Sequence, residues 1–80
     1  MLSVEQQVEK AVRDYFGDQV SLSFFDERND GKHFFIKIVS DLFVWKGRVE
    51  RSQIVYRVLD SFLKDNTIHA LRMECKAPGE

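Results

Sequence analysis

Few side chains in this sequence can do chemistry, and their spacing restricts them further. It has two histidines, His33 and His69, and one cysteine, Cys75. A thiol–imidazole nucleophile pair needs hydrogen-bond contact between its members. His69 and Cys75 fall in one predicted strand, and six residues of extended chain hold them ~20 Å apart. A closed tetrahedral zinc site needs four ligands, and neither a C-x-x-C nor an H-x-x-x-H occurs. The carboxylates Asp26, Glu27 and Asp30 sit together in "DERNDGK", which reads as a solvated turn. No phosphate-binding loop, dinucleotide fingerprint or G-x-S-x-G elbow is present. These absences argue against an enzyme. On residues alone, His69 in an apolar strand reads as a rim histidine.

A second chemistry is phosphate contact. Lys46, Arg48, Arg51 and Arg57 cluster along one stretch, diluted by Glu50. Such a cluster is usually a solvated face, and phosphate contact is its alternative reading. The G-x-x-G clamp of single-strand binders is missing, because Gly17, Gly31, Gly47 and Gly79 never take that spacing.

The elements that position these residues are legible from periodicity. Ser3 and Gln6 form a capping box, and Val4, Val8, Val12 and Tyr15 recur at helical spacing, predicting a helix from Val4 to Phe16. Val20, Leu22 and Phe24 alternate with polar residues, and so do Phe34, Ile36 and Ile38 with His33, Phe35 and Lys37. These runs predict a hairpin around Asp30-Gly31. Ser40 or Asp41 caps a short helical turn that ends by Gly47. A single long helix follows from Val49 to Lys64, with Val55, Val58, Leu59, Phe62 and Leu63 on one face. Ile68 to Cys75 is a third strand whose Leu71, Met73 and Cys75 share a face, so Cys75 reads as core packing. "KAPGE" reads as a frayed end. The predicted class is α+β, a three-stranded sheet with helices on one face.

Composition sets the outer limits. Eighty residues suit one domain, and 12 basic against 13 acidic residues give a net charge of −1. No global field therefore draws the chain onto nucleic acid. A core this thin leaves little room for a walled active site. The longest apolar run, Leu42–Trp45, is far below a membrane span. A lone cysteine and an N-terminus without an apolar leader predict a cytoplasmic protein, monomeric or a weak homodimer on its own.

Three strings carry a family resemblance: "GKHFFIKIVSDLF", "RVERSQIVYRVLDSFL" and "NTIHALRMECKAP". They resemble the BolA family, whose members carry an HF-x-V-x-I-V-S-like strand, an R-H-R-x-x-Y-like helix and an I-H-A-L strand followed by T-P. The resemblance runs from Val4 to Pro78. Arg51-Ser52-Gln53 stands where many members have R-H-R, which points to the branch lacking that string. Trp45 stands where a glycine is expected, and Ala77 replaces the threonine before Pro78.

The resemblance implies an α-β-β-α-α-β, KH-type-II-like domain that pairs with a monothiol glutaredoxin and its bound glutathione. In such pairs a [2Fe–2S] cluster is shared and the I-H-A-L histidine, here His69, is a ligand; the isolated chain carries none. A second ligand comes from the loop between the first two strands. That loop, Glu27 to Lys32, has neither Cys nor His, which leaves His33 at its end as the second candidate. The implied role is a non-enzymatic adaptor in iron–sulfur cluster assembly or trafficking and iron homeostasis. The alternative is a DNA-binding transcriptional regulator of stress or morphology, using Lys46, Arg48, Arg51 and Arg57.

Overall fold

Helix α1, Val4–Phe16, opens on a reciprocal cap that satisfies two backbone donors at once. The Gln6 N–H donates to Ser3 Oγ at 3.2 Å and the Ser3 N–H to Gln6 Oε1 at 2.9 Å. The computed structural model describes residues 2–80. One turn apart on α1, Val8 and Val12 are both fully buried. The hairpin follows as predicted: β1, Ser21–Asp26, pairs antiparallel with β2, His33–Val39, from Ser21↔Val39 to Asp26↔Phe34.

Strand β3, Ala70–Lys76, lies parallel to β2 and leaves β2 in the centre of a three-stranded sheet. A parallel neighbour cannot be reached by a tight turn, so the chain must cross over. The crossover starts with a 3-10 turn over Asp41–Phe43, capped by Ser40 Oγ, which accepts the Leu42 N–H at 3.1 Å. Helices α2, Arg48–Val58, and α3, Asp60–Lys64, complete it.

The single helix expected from Val49 to Lys64 is therefore two segments. Leu59 has φ −100° and ψ 14°, off the helical value, and its side chain is fully buried. The hydrogen bonds Leu59 N–H to Val55 O and Leu63 N–H to Leu59 O continue across the junction. The ladder bends where an anchored leucine sinks into the core.

Ile36 and Ile38 of β2 meet Val8, Val12, Val55, Leu59 and Phe43 in one cluster, with Leu71, Met73 and Cys75 packed against it. Cys75 is thus packing, as its strand face indicated. The opposite sheet face is less bare than alternation suggests. Phe35 is only 9% exposed although it points away from the helices. Phe25 stacks on it at 5.4 Å and the Arg72 guanidinium lies 4.5 Å from its ring centroid. Glu27 holds Arg72 through Nε at 2.9 Å.

The C-terminal segment, expected to fray, is tied down by Arg51. Its guanidinium grips the Glu80 carboxylate with both Nη atoms, one at 2.8 Å, and donates to the carbonyls of Lys46 at 2.8 Å and Cys75 at 3.2 Å. Glu80 also accepts the Ala77 N–H at 3.0 Å. Arg51 first, then the Ala77 N–H, holds the Glu80 carboxyl down at about 2.

Trp45 stands apart. Its φ is 66° and its side chain is 98% exposed, so a bulky residue sits in a left-handed conformation with almost nothing packed on it.

Two outcomes follow from these contacts. Trp45→Gly should stabilise the fold by roughly 0.5–1 kcal/mol, the relief of left-handed strain less the added freedom of the unfolded chain. Denaturation followed by circular dichroism measures this, since the only tryptophan is lost; a net loss would show that the indole packs in solution. For Glu80, a folded-state value below the ordinary 4.5 means its stabilisation is present above that pH and lost as pH falls toward about 2. Glu80→Gln should flatten that acid limb, and an unchanged pH profile would show that the Arg51 clasp contributes nothing.

Candidate metal centre

The loop between β1 and β2 is exposed along residues 27–32, as its composition suggested, yet two aspartates staple it. Asp26 accepts the N–H groups of Arg28, Asp30 and Gly31 at 3.2, 3.3 and 2.6 Å. Asp30 Oδ1 accepts those of Lys32 and His33 at 2.9 and 3.1 Å. Asn29 and Gly31 take the left-handed conformations the turn requires, at φ 55° and 71°. Such side-chain-to-backbone bonds order a loop without a hydrophobic core of its own.

The ordered loop delivers His33. Its Nδ1 lies 2.7 Å from Asp30 Oδ2, and the imidazole is 29% exposed. Backbone N–H donation from Lys32, with His33 adding to it, holds the Asp30 carboxyl at about 2, so it is a carboxylate at neutral pH.

His69 arrives from the other side of the crossover. The Lys32 carbonyl accepts both the His69 N–H at 3.2 Å and the Ala70 N–H at 3.0 Å. The parallel register then sets Ala70 opposite His33. The two imidazole centroids are 6.4 Å apart with an interplanar angle of 71°. The structure thus brings both histidines singled out in the sequence to one end of the sheet.

This donor set tests what metal group fits. Among the described residues, no group of three or more His, Cys, Asp or Glu side chains can hold a metal ion. A closed metal site is therefore not built here. Cys75 lies toward the far end of β3, and burial pushes its thiol up, away from the thiolate form. What remains is a pair of nitrogen donors with an exposed approach. Two imidazoles are an incomplete donor set, of a kind that could share a metal group only with ligands from another molecule.

The four cations do not form one free patch. Lys46, Arg48 and Arg51 line a depression of ≈ 610 Å³ with Cys75 and Lys76. Arg51 is committed to Glu80 and two carbonyls, and Lys76 pairs with Glu74 at 3.3 Å. Arg57 follows Arg48 by nine positions, which places it roughly 180° away around α2. Among the described residues only Lys46 and Arg48 of that depression are without an ion-pair partner. A second depression of ≈ 630 Å³, near Gly17, Val39 and Pro78, lies at the other end of β2 from His33 and holds no histidine or cysteine.

Sequence reading missed Asp30 as a partner of the site. The signal was present as two aspartates four apart before a glycine, the pattern of side chains that cap their own turn. Composition pointed instead to solvation.

Known proteins agree with this architecture. A family profile described as BolA-like protein matches residues 17–80. Acid stress protein IbaG of Escherichia coli (strain K12) is 36% identical over 61 residues, 76% of this chain and 73% of IbaG. The structure of BolA1 from Arabidopsis thaliana matches with a TM-score of 0.87 at 27% identity, over 100% of this chain and 98% of that one. The BolA domain of SufE1 from Arabidopsis thaliana matches with a TM-score of 0.81 at 28% identity, over 98% and 96%. The order of elements and these matches have one conclusion: the chain belongs to the BolA-like protein family.

Proposed function

We propose that this BolA-like domain is a non-enzymatic adaptor in iron–sulfur cluster assembly or trafficking and in iron homeostasis. It presents His69 and His33 to a [2Fe–2S] cluster held jointly with a monothiol glutaredoxin and that partner's glutathione. The observation that carries this reading is the juxtaposition of two imidazoles, 6.4 Å apart at one sheet end, with no third ligand beside them among the described residues. Two donors leave a metal group under-ligated, so a second molecule must supply sulfur.

When bound, the cluster supplies a redox-active iron centre, and histidine in place of cysteine raises its potential. The residues of this chain do the rest. The Asp26 and Asp30 staples hold the loop, Lys32 fixes the spacing of the two histidine backbones, and the parallel strands keep both rings on one end. In SufE1 of Arabidopsis thaliana a BolA domain is one part of a larger protein, which suits a module that works by association. The proposed location is the cytoplasm; among the described residues no helix is long and apolar enough to cross a membrane.

The regulator reading has less to stand on. With Lys46 and Arg48 as the free cations of that depression, duplex binding there should fall with salt at a log–log slope of only about −2. A measured slope near −4 or steeper, with sequence preference, would reinstate it.

The adaptor reading is tested by co-expression with a monothiol glutaredoxin. A coloured heterodimer should purify, and His69→Ala should abolish its visible spectrum while the far-ultraviolet circular dichroism of the isolated chain stays unchanged. His69 is exposed, so its removal leaves no cavity. A mutant complex with the wild-type spectrum would sink the assignment.

A further inference from the structure

We propose that Asp30 is a positioning residue that sets the tautomer of His33, placing the ring proton on Nδ1 and leaving the Nε2 lone pair for the metal. This role deepens the cluster-sharing reading and rests on it for the identity of the metal group.

Donors and acceptors decide the tautomer. An ionised carboxylate has no proton to give. Asp30 Oδ1 is occupied by the N–H groups of Lys32 and His33 at 2.9 and 3.1 Å, and Oδ2 faces His33 Nδ1 at 2.7 Å. That contact is a hydrogen bond only if Nδ1 donates. A neutral imidazole carries one ring proton, so Nε2 is then a bare acceptor, the form that ligates metals. The same carboxylate grips the His33 backbone and the His33 ring, so ring orientation is locked to the loop. A carboxylate behind a ligating histidine also raises its basicity as a donor.

His69 makes a contrast. Among the described residues its ring takes no hydrogen bond, and only its backbone N–H is held, by the Lys32 carbonyl. The site therefore has one histidine fixed in advance and one free to adjust. Neither composition nor family resemblance assigns Asp30 this part, because its neighbours in sequence are ordinary turn residues.

The test separates the tautomer from the cluster. Long-range proton–nitrogen correlation spectra of the isolated, labelled chain, taken where both imidazoles are neutral, should show His33 protonated at Nδ1. Asp30→Asn keeps an oxygen for the two backbone N–H groups but can turn an NH2 donor toward the ring. His33 should then switch to the Nε2–H form, which cannot ligate through Nε2. Asp30→Ala, with its fold checked by circular dichroism, should lose the preference for Nδ1–H. In the complex with a monothiol glutaredoxin, Asp30→Asn should shorten cluster lifetime about 10–100-fold.

An Nε2–H tautomer at His33 in the wild-type chain overturns the proposal whatever the complex does. So does a cluster lifetime unchanged by a confirmed tautomer switch. If the wild-type chain shows the Nδ1–H form, responsive to Asp30, yet no coloured complex forms, the tautomer assignment is supported and the cluster reading fails.

Discussion

The parallel pairing of β3 against β2 is the constraint from which the rest of the molecule follows. Its first bonds are made by a single carbonyl, that of Lys32, which accepts the N–H groups of both His69 and Ala70. This point fixes the register His33↔Ala70, and with it every pair up to Val39↔Lys76. Side chains alternate along a strand, so a slip of one residue would carry Leu71, Met73 and Cys75 off the core face. It would also separate the two imidazoles. The hydrophobic register and the geometry of the candidate site are one choice, enforced by the same core that selects the fold.

A parallel strand demands a crossover, and the crossover explains the fate of Arg51. The segment joining the 3-10 turn to α2 brings the Lys46 carbonyl, the Cys75 carbonyl at the end of β3 and the Glu80 carboxylate near one point. A guanidinium, with five donors in a fixed fork, satisfies all three, where an ammonium could not match the two-pronged geometry. Burial to 14% side-chain exposure is tolerable because the charge is met by a carboxylate. The cation that charge counting offered to phosphate is occupied in holding α2, β3 and the C-terminal segment together.

Much of this was legible in the sequence, for identifiable reasons. The capping box and valine spacing gave α1 its limits, and the alternation of Val20, Leu22 and Phe24 with polar residues placed β1, because both signals are local. The bend at Leu59 was not legible, since the apolar stripe runs through it and the helical hydrogen bonds continue on either side. Nor was the burial of Phe35, which depends on Phe25 and Arg72 arriving from neighbouring strands. The "KAPGE" tail looked free because Glu80 finds its partner 29 positions away. Of the candidate site, His69 and His33 were visible as residue types, yet their proximity is a product of register. Asp30 was hidden by chemistry that composition reads as polarity. In each case the missing information was a contact distant in sequence or a hydrogen bond made by a side chain to its own turn.

The shape of the site also follows from size. An eighty-residue chain buries a modest core, and the fully buried side chains of this one are already spent between the sheet and the helices. Enclosing a cluster with four ligands would take apolar residues from that core or require further loops. Two histidines at an open sheet end ask for neither. On the proposed reading, their cost is that metal occupancy cannot be a property of this chain alone, because two imidazole donors leave the remaining coordination to be filled from outside. Under the proposed function, occupancy then rises and falls with the concentration of the sulfur-bearing partner, by mass action. Under that same proposal, a fold too small to wall in a metal group is, for that reason, suited to report whether a partner carrying one is present.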